Sequence, residues 1–190
     1  MSVISGGTVI EGARISQFAA DLGSPAAPST TAVHAAVTDT GEDQEITTGI
    51  TDPDVPRNIT ATSGGTAADI KAVQVVVEGT NAEGNTITET LPAFTENNAT
   101  TVVGSKAFAT VTSITLPAHD GTAATTSIGT GAKLGLGDRL ERDSLDVAYF
   151  DGDREGTRPT VVVDASALES NTVELDSTLD GSPVVVEYNR

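Results

Sequence analysis

Cysteine and tryptophan are absent from this 190-residue chain, and four Phe with two Tyr make up all its large aromatic residues. Without thiols, no disulfide can staple the fold, no thiolate can act as nucleophile or metal ligand, and cysteine usage does not identify a redox compartment. The core has to be built from Val, Ile, Leu and Ala, which a chain of this length can do in one or two domains. No apolar run approaches the ~18 residues that span a bilayer. The opening MSVISGGTVIEGARI lacks a basic region followed by an apolar stretch, so no export signal is expected. Histidine is nearly absent too. His34 and His119 stand at no spacing from Asp, Glu or each other that would build a zinc site or a general base. No catalytic or cofactor-binding residue is assigned, and no cofactor is expected.

Cations are scarce: Lys and Arg number 10 against 27 Asp and Glu, for a net charge of −17. Such a surface repels phosphate backbones and anionic lipid, so neither nucleic acid nor membrane is expected as a partner. With Lys71, Lys106 and Lys133 its only lysines, the chain also suits strong salt, where screening shortens to ~3 Å at 1 M. A halophilic source is one reading; an acidic protein that is merely soluble is the other. A fold that holds equally well in ~0.1 M and multimolar salt would remove support for the first.

What is present in quantity is Val, Ile and Thr in short runs bounded by Gly, Asn, Asp or Pro, the pattern of strands and turns. The organising stretch is 56–136. Within AVQVVVEG, Val73, Val75 and Val77 share the inward face. In NTITETL, Ile87, Glu89 and Leu91 lie on one face and Thr86, Thr88 and Thr90 on the other, a row suited to solvent or a partner; which face wins near Glu89 is open. GSKAFATVTSITLPA reads as the longest strand, with Phe108, Ile114 and Leu116 on one parity and Val111 on the other. The fold expected is all-β: a two-layer antiparallel β-sandwich, jelly-roll-like, with an N-terminal arm and linker over 1–30, a core over 31–137 and a C-terminal β segment over 138–190. In the arm, 8–15 reads as a short strand and 17–22 as one helical turn, followed by the linker GSPAAPSTT. That arm is either a disordered terminus or a segment packed on a neighbouring subunit. Residues 31–37 and 44–50 are expected to pair as a hairpin.

Three motifs invite a chemical reading. Gly129, Gly131, Gly135 and Gly137 form no phosphate loop, because Lys133 is followed by Leu134 where Ser or Thr is required; they are expected to permit bends and close strand contacts. Asp151, Asp153 and Glu155 reproduce the start of a calcium loop, but Val162 occupies the position of its bidentate Glu and strands flank it. These three carboxylates are therefore only weak metal candidates, and a solvated turn is the commoner explanation. Asn58 and Asn98 begin glycosylation tripeptides, which also arise by chance.

Taken in series, ITTGITDPDVPRNITAT, VEGTNAEGNTITETL, GSKAFATVTSITLP, IGTGAKLGL, YFDGDREGTRPTVVV and ALESNTVELDSTLDGSPVVVEY resemble a family of small structural proteins of tailed bacteriophages and archaeal tailed viruses, over residues 31–190. The first thirty residues and the acidity depart from that pattern. The resemblance implies a non-enzymatic virion component, made in the host cytoplasm, that decorates or cements the head shell, with the major capsid protein and further copies of itself as partners. A tail-associated subunit such as a tube, baseplate or connector protein is the alternative. A host-surface glycan binder is a third, with Tyr149 and Tyr188 the only tyrosines to serve as platforms.

Overall fold

Alternating β-branched residues leave the backbone groups of this chain to be satisfied between strands, not within helices. A computed structural model describes residues 17–189 and, in backbone only, Val3–Ser5 and Thr8–Ile10. In chain order its strands are β1 (Val3–Ser5), β2 (Thr8–Ile10), β3 (Gln17–Asp21), β4 (Ser29–Thr38), β5 (Gln44–Ile46), β6 (Arg57–Gly65), β7 (Val76–Thr80), β8 (Thr86–Thr90), β9 (Thr101–Phe108), β10 (Thr110–Leu116), β11 (Ala124–Gly135), β12 (Leu145–Phe150), β13 (Asp153–Arg154), β14 (Thr160–Val162), β15 (Thr172–Glu174) and β16 (Val184–Asn189). The described helix is confined to two short 3-10 turns, Ala67–Asp69 and Leu168–Ser170. The chain is thus all-β, with every strand pair antiparallel.

Three sheets make the body. The first runs β5-β10-β7-β8, the central one β14-β15-β11-β6-β9 with β4 added on β11, and the third β13-β12-β16-β3. Layered antiparallel sheets fit the sandwich expectation; this connectivity does not establish a jelly roll. β1 and β2 pair with each other, Val3 opposite Ile10 and Ile4 opposite Val9.

Two aliphatic clusters hold the sheets together. In one, Ile59, Ala61, Phe108 and Ile128 of the central sheet meet Val77, Ile87, Ile114 and Leu116 of the first. In the other, Leu134 and Val173 meet Ala20, Ala148, Val184, Val186 and Tyr188 of the third. β11 therefore serves both clusters, and its ladder with β6 changes register between Thr130 and Leu134. Glycine is required along it: a Cβ on Gly129 would lie 1.9 Å from the Ser29 carbonyl oxygen, and one on Gly131 would lie 2.4 Å from the Asn58 amide. Both are impossible contacts, so the expected close strand approach is what these glycines provide.

Several local expectations are corrected. Residues 31–37 and 44–50 do not pair; β4 bonds to β11 and β5 to β10. The Asp39 carboxylate accepts from the Gly41 amide at 2.7 Å and from the His119 amide at 2.9 Å, which pins the connection across the fold and keeps it from closing a hairpin. Residues 17–21 are strand, not helix. A single helical turn is a costly nucleus, while β16 offers an open ladder that sets Phe18 opposite Tyr188 and Ala20 opposite Val186. Nor is 104–118 one strand. It breaks at Ala109, and β10 is bulged between Val111 and Ser113, so Phe108, Val111, Ile114 and Leu116 are all buried despite their mixed parity.

The segment expected to be a linker is strapped down. Leu22 donates to the Val184 carbonyl and Val184 to that of Gly23, each at 2.9 Å. Gly181 donates to the Pro25 carbonyl at 2.9 Å, and the Ala26 amide reaches Asp54 at 2.6 Å. Of the expected strand over 8–15, Thr8–Ile10 is strand, and 11–15 lie outside the described residues.

Candidate functional site

The three weak metal candidates separate. Asp151 and Gly152, with φ of 52° and 82°, form the two-residue turn between β12 and β13, where Phe150 faces Asp153 and Tyr149 faces Arg154. Asp-Gly is the turn chemistry that a tight antiparallel hairpin demands. Glu155 turns elsewhere, accepting from the Ser177 amide at 3.2 Å. Among the described residues, no group of three or more His, Asp or Glu is placed to hold a metal ion.

His119 is buried and fully engaged. Its Nδ1 accepts from the Lys71 amide at 3.1 Å, which leaves Nε2 to donate to Thr126 Oγ1 at 3.1 Å, and the ring stacks on Phe94 with centroids 5.9 Å apart. Burial pushes its pKa down, against the raising influence of Asp39 and Asp120. A folded pKa below the unfolded value of ~6.5 means that the unfolded chain takes up the proton first. Stability is therefore whole above ~6.5 and declines as pH falls toward the depressed folded value. Urea midpoints measured between pH ~7 and ~5 should fall more steeply for the native chain than for His119→Gln, and equal slopes would refute the account. His34, half-buried on β4, contacts the Ala35 carbonyl through Nδ1 at 2.8 Å.

Other polar residues are also spent on the fold. Asn58 is wholly buried, donating to the Gly104 carbonyl and accepting from the Lys133 amide, so it cannot accept a glycan in the folded chain; Asn98 lies exposed in a turn. Glu89 faces inward at 8% exposure. The β6–β9 register shifts between Asn58 and Thr60, and the Glu89 carboxylate takes the Ser105 amide at 2.7 Å, its hydroxyl at 2.8 Å and the Lys106 amide at 3.3 Å. Tyr188 is buried against Phe18 and donates to Asp138 at 2.6 Å, which removes it as a glycan platform and leaves Tyr149 half-buried on β12.

One strand and the hollow beside it stand apart. β4 is a ten-residue strand in which only Val33 is buried; it is bonded to β11 along one edge, and along the other it pairs with no described strand but accepts the Thr51 amide on the Val33 carbonyl at 2.9 Å. At its start, Pro28, Ser29 and Thr30 wall a shallow cavity of about 290 Å³ whose other sides include Thr60, Val103 and Ala132. The lining is largely apolar: Val103 is 46% exposed at the rim, and the buried Thr60 hydroxyl has no hydrogen-bond partner. A hydroxyl kept from water without a partner is disfavoured. Sequence reasoning found the threonine row of β8, which is exposed at Thr86, Thr88 and Thr90, but not this cavity. Nothing local in residues 28–30 or 60 signals that they meet.

Comparison with protein-family models, curated proteins and solved structures returns no match.

Proposed function

We propose that this chain is a non-enzymatic structural subunit of a tailed virus, bound to the head shell as a decoration or cement protein and assembling with copies of itself and with the major capsid protein. The single observation carrying this reading is the apolar cavity at the start of β4 with its unpartnered Thr60 hydroxyl. A protein that worked alone would be expected to fill such a hollow with its own side chains and to give the buried hydroxyl a partner. The net charge of −17 keeps free subunits apart until salt screens it.

Gold-labelled antibody against the chain, applied to purified virions, is expected to mark the head shell. Label confined to tails would replace this reading with the tail-subunit alternative, and unlabelled virions would overturn both.

A further inference from the structure

Asn81, Glu169 and Lys106 come from three separate parts of the chain: the β7–β8 connection, the second 3-10 turn and β9. They converge between the first and central sheets. Asn81 is 3% exposed. Its Oδ1 accepts two backbone hydrogen bonds, from Glu83 at 3.0 Å and Asn85 at 3.1 Å, and its Nδ2 donates to Glu169 Oε2 at 3.2 Å. The other oxygen of that carboxylate lies 3.9 Å from Lys106 Nζ, which also donates to the Thr88 carbonyl at 3.0 Å. The Glu169 side chain is 12% exposed and that of Lys106 31%.

This arrangement contains the parts of an acyl-transfer site. A carboxamide carbon is the electrophile, and its oxygen already sits between two backbone N–H groups able to stabilise an oxyanion. An amine is the nucleophile. One carboxylate bridges the attacking nitrogen and the leaving nitrogen through different oxygens, which is the position a proton shuttle must occupy.

We propose that Lys106 and Asn81 become joined by an intramolecular isopeptide bond, with Glu169 as the catalytic acid and base. Glu169 Oε1 takes a proton from the Lys106 ammonium, and the freed Nζ, leaving the Thr88 carbonyl, attacks Asn81 Cγ. Negative charge gathers on Oδ1 under the Glu83 and Asn85 amides. As the tetrahedral carbon collapses, the Cγ–Nδ2 bond breaks while Glu169 hands its proton to Nδ2. The second proton shed by Nζ leaves with the departing nitrogen. In sum, an ammonium and a carboxamide become a secondary amide and an ammonium ion. The carboxylate is regenerated, and neither oxidant nor co-reactant is consumed. The new bond would lock β9 to the β7–β8 connection and so tie two sheets covalently in a protein without disulfides. It stands independently of the virion reading.

The test is the intact mass of the purified full-length chain after incubation in the folded state at neutral pH. The native chain should weigh about 17 Da less than its sequence requires, the mass of lost ammonia, and digestion should yield one branched peptide containing both Lys106 and Asn81. Lys106→Arg, which keeps the charge, and Glu169→Gln should both show full mass. Asn81→Asp should lose water instead, about 18 Da. Full mass in the folded native chain would overturn the proposal whatever the variants do. So would an ammonia deficit that persists in Lys106→Arg, because the nitrogen that expels the ammonia would then not be Lys106 Nζ.

Discussion

Arg57→Ala is expected to destabilise the protein by about 3–5 kcal/mol, the sum of buried acceptors left without donors and a side-chain-sized hole. Arg57 is the largest fully buried side chain. Its Nε donates to the Gly131 carbonyl at 2.8 Å, Nη2 bonds the same oxygen, and Nη1 reaches the Ala26 carbonyl at 2.9 Å and Asp54 at 3.1 Å. One guanidinium thus fastens the strap at Ala26 to β11 beside the point where its register changes. Asp54, with 36% of its side chain exposed, would find water after the substitution, so the loss falls mainly on the two carbonyls. Burial pushes the Asp54 carboxyl up, but hydrogen bonds from the Ala26 amide and Arg57 outweigh it and hold the group below its ordinary value. Stability from this contact is present above the ordinary carboxylate range and is lost as pH falls through the depressed folded value. Lysine should not rescue the substitution, because a point ammonium cannot reproduce the planar fork. Urea unfolding in strong salt measures the loss, and limited proteolysis should show new cleavage over 22–28. A loss under ~1 kcal/mol would mean that water or a rearranged neighbour satisfies the carbonyls.

Phe108→Ala is the second large effect, expected at about 3–5 kcal/mol because a ring is removed from a packed interior that cannot fully collapse. Phe108 has no exposed surface and lies in the cluster with Ile59, Ile114 and Ile128. It also sits opposite Arg57 in the β6–β9 ladder, so the two substitutions share a neighbourhood and their costs should not simply add. Phe108→Leu should recover most of the loss, since it keeps the apolar volume closer to the original. The check is a lower urea midpoint with an unchanged slope; an unaltered midpoint would show that the aliphatic side chains close the gap themselves.

The readings that held are those in which a residue's neighbours in sequence are enough to place it. Val75 and Val77 are buried and Thr86, Thr88 and Thr90 are exposed, because side chains alternate by strand geometry alone. The readings that failed needed a partner. Turn residues between 31–37 and 44–50 suggest a hairpin, but the Asp39 carboxylate bonds a backbone amide 80 positions away. Glu89 could not be placed from its face alone, since its burial depends on amides freed by a bulge on another strand.

By itself, the sequence determined that this protein is all-β, built from short strands around an aliphatic interior, and that Asp151-Gly152 turns the chain. Each of these follows from preferences a few residues long: β-branching, period-two alternation and the left-handed tolerance of turn residues. Tertiary structure alone decided that β4 lies against β11, that β3 completes the sheet of β16, and that Arg57 meets a carbonyl 74 positions away and Asn81 a carboxylate 88 positions away. Backbone hydrogen-bonding groups are the same in every strand, so local residues cannot name a partner. The choice is made when the whole chain closes around its buried surface.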